Sequence, residues 1–325
     1  MKKKNKNRSL RRLAAMLLAA LLLFVSLPPC EAEAATTVTL TLMSYSGSSV
    51  LQTIQVRSGT YVTLPTNKDT TKTVFMGWST VKSRKKDPTY LPDQRIKVRK
   101  NMTLYEVRFK RSSDKVPYAS TIPALNAAKY ERVIFVGDSR IAQIKKGVKK
   151  YYGDPSAFLN KRKVGLVARS GTGLADFICG TGSGSYARLK TELGKTSGRQ
   201  VVIFAFGIND LRANGDVTAI QKAYATFLKT FRRDLKKNYN CDLYLMSVNP
   251  INQNETYRRE EHIRSFNKYL KAAGVCDGYI DTYSYLYENG FNFWHYSQHY
   301  DDGVHYSLAT TLRIFRYAMQ TLNAG

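Results

Sequence analysis

Apolar and polar positions repeat with two different periods along the chain, and the change of period divides it. Thr37–Leu42 alternates polar and apolar residues with period two, as a half-buried strand does. Gly47, Gly59 and Pro65 punctuate further short β-rich runs, so residues 36–110 are expected to form a small all-β module. Residues 111–129 open on the polar stretch Arg111-Ser112-Ser113-Asp114-Lys115-Val116-Pro117 and read as a linker. From Tyr130 short apolar runs alternate with helical spacing. Strands are expected at Arg132–Val136, Val164–Ala168, Val201–Phe206, Leu243–Val248 and Gly278–Asp281. The third is the most apolar and should lie centrally, covered on both faces. Between them Ile141, Ile144, Val148 and Tyr151 fall on one helical face. Asp216–Tyr239 predicts a long amphipathic helix with Ile220, Tyr224, Phe227, Leu228, Phe231 and Leu235 on one side. A helix through Ile263, Phe266, Tyr269 and Leu270 should stop at Gly274, and Ser307–Leu322 closes the chain as another. Five strands alternating with helices predict a parallel sheet with helices on both faces. Sites in such sheets form beyond the carboxyl ends of the strands.

The N-terminus bears on compartment. Seven basic residues within positions 2–12 precede the apolar run Leu13–Leu27, then Pro28-Pro29-Cys30 and the small-residue stretch Ala32-Glu33-Ala34-Ala35. This order predicts a signal peptide over residues 1–34, cleaved near Ala34, and hence a secreted or cell-surface protein, which the module resemblance described below would make bacterial. The apolar run is short for a membrane span, and Cys30 lacks the small residues that usually precede a lipidated cysteine.

Charge then changes the picture. The 325 residues carry 51 Lys+Arg against 24 Asp+Glu, a formal net charge of +27. With the seven basic and two acidic side chains of residues 1–34 removed, +27 becomes +22. Residues 36–110 hold 13 basic and 4 acidic side chains, so the excess is not confined to one half. Export makes nucleic acid an unfitting partner. An anionic cell-wall polymer or membrane surface fits better, with a merely solubilising surface as the alternative. Cys179, Cys241 and Cys276 remain after cleavage. That odd number gives no disulfide framework; a Cys241–Cys276 bridge between strand ends is conceivable, and reduced thiols are expected. Nothing implies a cofactor or metal: C-x-x-C and H-E-x-x-H are absent, although His295 and His299 stand four apart. Gly194-Lys195-Thr196 lacks the earlier glycine of a phosphate loop, Gly180–Gly184 does not directly follow a strand, and there is no G-x-S-x-G elbow.

The expected strand ends carry the chemistry. Gly137-Asp138-Ser139 follows the first, placing a serine where a helix begins. It reads either as a nucleophile or as an N-cap. Arg169-Ser170-Gly171-Thr172-Gly173 follows the second and offers a backbone N–H to a substrate oxygen. Gly207-Ile208-Asn209-Asp210 follows the third and offers a side-chain amide, or is simply a turn. Near the end, Asp302-Gly303-Val304-His305 spaces a carboxylate to sit behind a histidine Nδ1, leaving Nε2 as a base; a surface turn is the alternative. Together these supply a nucleophile, oxyanion donors and a His–Asp pair.

In this order the blocks resemble those of SGNH (GDSL-type) hydrolases over residues 130–323. They match at Gly137-Asp138-Ser139, Gly171 or alternatively Gly173, Gly207-x-Asn209-Asp210 and Asp302-x-x-His305, with Arg140 standing for the Leu of the GDSL signature. The resemblance implies a three-layer α/β/α fold around a five-stranded flavodoxin-like sheet. It implies catalysis by Ser139, His305 and Asp302, with an oxyanion hole from the N–H groups of Ser139 and Gly171 and the amide of Asn209. Arg140, Gly173, Asp210 and Trp294 are candidate substrate contacts, Trp294 through the aromatic run Phe291–Tyr296. Leu64-Pro65, Gly77-Trp78 and Thr103-Leu104-Tyr105 resemble the Listeria–Bacteroides (internalin B-type) repeat, departing at Glu106-Val107-Arg108. Such modules serve as spacers or binding units. The substrate implied is an ester, an acylated envelope or extracellular glycan. A lipase, thioesterase or acyltransferase of the same family is an alternative, as is a wall-binding or adhesion protein with an inactive hydrolase-like domain. Acyl chain length and oligomeric state are not legible.

Overall fold

A computed structural model describes residues 36–68, 70, 73–84, 88–92, 94–110, 122–251, 256–288 and 302–324. The expected signal peptide, Trp294 and the first part of the expected linker lie outside the described residues.

Six strands build the N-terminal part: β1 (Thr37–Met43), β2 (Val50–Arg57), β3 (Thr60–Thr63), β4 (Thr73–Ser79), β5 (Arg95–Val98) and β6 (Met102–Lys110). Period-two alternation in β1 buries Val38, Leu40 and Leu42 and leaves the threonines outside. The main sheet runs β2-β1-β6-β4, antiparallel except for the parallel β1–β6 pair, and β3 with β5 forms a separate antiparallel ribbon. Trp78 is fully buried, and its indole N–H donates to the Pro65 carbonyl at 2.8 Å, so the Leu64-Pro65 turn and the Gly77-Trp78 pair meet in one core.

Five parallel strands form the second sheet: β7 (Arg132–Gly137), β8 (Val164–Ala168), β9 (Gln200–Ala205), β10 (Cys241–Met246) and β11 (Gly278–Ile280), in the order β11-β10-β9-β7-β8. Among the described residues the helices are α1 (Ser139–Tyr152), α2 (Pro155–Lys161), α3 (Leu174–Cys179), α4 (Tyr186–Leu193), α5 (Val217–Tyr239), α6 (Glu260–Ala273), α7 (Thr282–Glu288) and α8 (Leu308–Ala324). Neighbouring residues of a strand point to opposite faces. Val133 and Phe135 of β7 therefore enter the core beneath α1 and α8, while Ile134 and Val136 enter the core beneath α3–α6. The expected central strand is central, and Val201–Phe204 is wholly buried. Each such side chain contributes about 1.5–3 kcal/mol by leaving water. Asp216 caps α5, accepting from the N–H groups of Thr218 and Ala219 at 2.9 and 3.1 Å, and α6 ends at Gly274 with φ +59°.

The β module is not a bead on a string. Met76, Leu91 and Val107 belong to the same buried cluster as Tyr151 of α1 and Phe315 of α8. Tyr151 Oη donates to the Pro88 carbonyl at 3.1 Å, and Arg313 Nη1 to the Phe75 carbonyl at 3.3 Å. The segment read as a linker is packed from Ile122 onward: Ile122 and Leu125 are buried, and the Asn126 N–H donates to Asn323 Oδ1. Apolar side chains spaced three apart suffice to dock an irregular segment, which no periodicity announces.

Candidate active site

The strand order turns between β8, β7 and β9, and a crevice opens where neighbouring strands send their chains to opposite faces. The chain leaving β7 reaches Ser139 after two residues. The first helical turn of α1 needs an acceptor for its free N–H groups. That acceptor is Asp138, whose carboxylate accepts from the Arg140 N–H at 2.9 Å. Ser139 is therefore not the cap. Its Oγ is turned to His305 and donates to Nε2 at 2.7 Å.

His305 sits in a tight turn before α8. Its Nδ1 lies 2.5 Å from Asp302 Oδ2, and Asp302 Oδ1 accepts from the N–H groups of Val304 and His305 at 2.9 and 3.0 Å. An ionised carboxylate only accepts, so Nδ1 carries the ring proton and Nε2 is left as an acceptor toward Ser139. Burial pushes the Asp302 carboxyl up, but the hydrogen bonds from His305 and Val304 outweigh it and hold it below the ordinary carboxylate range. Asp138 is the reverse: complete burial pushes it up to about 6, against the pull of Arg140.

The two glycines of the loop after β8 differ in use. Gly171 has φ +78°, a conformation glycine adopts without strain, and open space beside it. Its N–H and that of Ser139 have no hydrogen-bond partner among the described residues. The Gly173 N–H donates to Asp176 Oδ2 at 2.8 Å, and a Cβ at Gly173 would stand 2.4 Å from Asp210 Oδ1. Asp210 itself faces inward, accepting from the Leu174 N–H and from Tyr224 Oη, and its pKa is raised by burial. Gly173 and Asp210 thus join α3 to the loop after β9. Asn209 Nδ2 donates one hydrogen to the Thr172 carbonyl at 2.9 Å, and an amide carries a second.

Two arginines brace these loops. Arg140 donates through Nε to the Val304 carbonyl at 3.0 Å, through Nη1 to the Asn249 carbonyl at 3.0 Å and through Nη2 to the Pro250 carbonyl at 3.3 Å. It ties the turn of His305 and the loop after β10 to the residue next to Ser139, with its guanidinium 5.7 Å from the Tyr306 ring. Burial lowers its pKa. Arg258 donates to the Ile208 carbonyl at 2.6 Å and to Asn209 Oδ1 at 3.3 Å, which turns the Asn209 NH2 toward Thr172 and the crevice. Nothing in the sequence distinguishes Arg258 from its neighbour Arg259. The Asp138 cap was legible as a residue type, since Asp is a preferred cap. Cys179, Cys241 and Cys276 are free thiols, and burial pushes Cys241 and Cys276 up to about 12.

Comparison with known proteins follows the same lines. Residues 133–317 match the family model described as GDSL-like Lipase/Acylhydrolase. The chain matches none of the curated proteins compared with it. Among solved structures it is similar to an acetylxylan esterase from Geobacillus stearothermophilus, at 16% identity over 59% of this chain and 94% of that one, with a TM-score of 0.40. It is similar to the acetyl xylan esterase AlAXEase at 16% identity over 59% of this chain and 99% of that one, TM-score 0.40. It is also similar to LAE5, an alpha/beta hydrolase enzyme from the metagenome of Lake Arreo, Spain, at 16% identity over 62% of this chain and 99% of that one, TM-score 0.41. With a family model spanning most of the second sheet and its helices, the chain belongs to the GDSL-like lipase/acylhydrolase family and is a carboxylic ester hydrolase.

Proposed function

We propose that the protein is a secreted serine esterase that removes acetyl or short acyl groups from carbohydrate, with Ser139, His305 and Asp302 as its catalytic triad. The observation that carries the reading is the unbroken line from Ser139 Oγ to His305 Nε2 at 2.7 Å and from His305 Nδ1 to Asp302 Oδ2 at 2.5 Å. In the first step His305 Nε2 takes the Ser139 proton as Oγ bonds to the ester carbonyl carbon. The negative oxygen that results is met by the N–H groups of Ser139 and Gly171 and by the second amide hydrogen of Asn209. Collapse expels the alcohol, which receives the proton from the imidazolium. Water, deprotonated by the same Nε2, then releases the acid and restores Ser139. Asp302 keeps the ring oriented and balances its charge when it is protonated.

The basic, apolar and small-residue order of positions 2–35 supports export, and the chain's charge supports an anionic setting. Tyr257, 62% exposed and 4.7 Å from the Arg258 guanidinium, supports a sugar by offering an aromatic face beside the Asn209 loop. Ser139→Ala is expected to fold normally, to lose turnover of an aryl acetate and to lose labelling by a fluorophosphonate probe. Undiminished turnover by the purified variant would refute the assignment.

A further inference from the structure

β8 is an edge strand, and a groove of about 670 Å³ runs along its open side between the two helical layers. Its floor is Leu166 and Ala168 of β8; one wall is Ala142 and Lys145 of α1, the other Arg188 and Thr191 of α4. The glycine-rich turn that the proposed catalysis leaves unused closes it, contributing Thr181 and Ser183. No Asp or Glu is among the residues described as lining it. Arg188 is paired with Glu192, but Lys145 has no ion-pair or hydrogen-bond partner among the described residues. The exposed Arg169 stands beside Gly182 of that turn, its Nη1 3.1 Å from where a Cβ on Gly182 would stand, and its side chain likewise has no partner among the described residues.

One end of the groove lies close to Ser139. Ala168 is the ladder partner of Gly137, two residues before Ser139. With strands about 4.8 Å apart and at most about 3.6 Å per residue, its upper end lies within about 12 Å of Ser139. A polymer lying there would present an acyl group to Ser139 while its neighbouring units rest against Lys145, Arg169 and the hydroxyl groups of Thr181, Ser183 and Thr191.

Resting on the esterase reading above, we infer that this groove is the subsite for an acylated glycan that carries anionic groups, carboxylate or phosphodiester, on the units next to the ester. Neutral glycans would satisfy the hydroxyls but leave two unpaired cations beside them. The test compares kcat/KM on O-acetylated polygalacturonate, O-acetylated poly(N-acetylmannosamine 1-phosphate) and neutral O-acetylated dextran, matched in acetyl content. The wild type is expected to favour at least one anionic polymer by about tenfold at low salt, and the preference should collapse in about 0.5 M salt. Which anionic polymer is favoured separates the carboxylate from the phosphodiester. Lys145→Glu and Arg169→Gln should each cut the anionic-to-neutral ratio by about fivefold. Equal kcat/KM on all three polymers, or a preference that both variants retain, overturns the inference. A shift of the variants toward dimers with an unchanged ratio also overturns it, assigning the cations to guarding the strand edge instead. A wild type that turns over no ester, aryl acetate included, defeats the esterase reading itself, and so the two failures are distinguishable.

Discussion

At the residue scale the site is governed by which polar groups are already spoken for. Asn209 has its oxygen held by Arg258 and one hydrogen held by Thr172, so a single donor is left, with its direction fixed before substrate arrives. Asn209→Ala is expected to lower kcat by about 10²–10³ with KM within about twofold, as removal of one preorganised oxyanion donor does. Equal kcat in steady-state assays of an aryl acetate would exclude that role. Arg140 acts at one remove, through the three carbonyls it gathers. Arg140→Leu leaves those carbonyls without their donor and frees the turn of His305. Loss of about 10² in kcat is expected with the fold retained by circular dichroism, since small misplacement of a base costs that much. A downfield Nδ1 proton resonance is expected for His305 from its bond to Asp302 and should weaken in the variant as well; a variant with wild-type kcat and an unchanged resonance would show that Arg140 positions nothing.

At the element scale the N-terminus of α1 combines a cap with a buried charge. The folded-state pKa of Asp138, about 6, stands above its ordinary 3.8. The proton therefore binds the folded form more tightly. The stability it lends is complete below about pH 4 and is lost as pH rises through about 6. Asp138→Asn keeps a good cap without the titration. The melting temperature of the wild type should fall relative to this variant between pH 4 and pH 7.5; a constant difference would mean that Asp138 does not titrate in that range. Asp302 has the opposite sign, its contribution present above the ordinary carboxylate range and lost on acidification. The elements were unevenly legible in the sequence. All five strands of the parallel sheet could be placed as short apolar runs bounded by polar or turn residues, and the helices of fourteen residues or more because period 3.6 had room to repeat. The helices α2, α3, α4 and α7, of eight residues or fewer, could not be placed, since two turns give no repeat to read. Ser139, Asn209 and His305 were legible because glycine-marked turns after apolar runs fix where such residues stand. Arg258 was not, lying in an irregular stretch whose only meaning comes from the loop it touches.

At the scale of the whole molecule, the β module and the parallel sheet share a core through Met76, Leu91 and Val107. Nothing in the sequence set those residues apart from the module's own interior positions. Removing residues 36–110 would expose apolar surface on α1 and α8. The full chain is expected to unfold in one cooperative thermal transition, and the truncated chain to melt lower or aggregate. Two separate transitions, or a truncated chain of equal melting temperature, would show that the parts are independent. The helix that begins at Ser139 carries Tyr151 in its last turn, and that hydroxyl is fastened to Pro88 of the module. A protein immobilised through its N-terminal module would hold its reactive crevice at a fixed height and tilt above the support, like a bracketed tool rather than a tethered one.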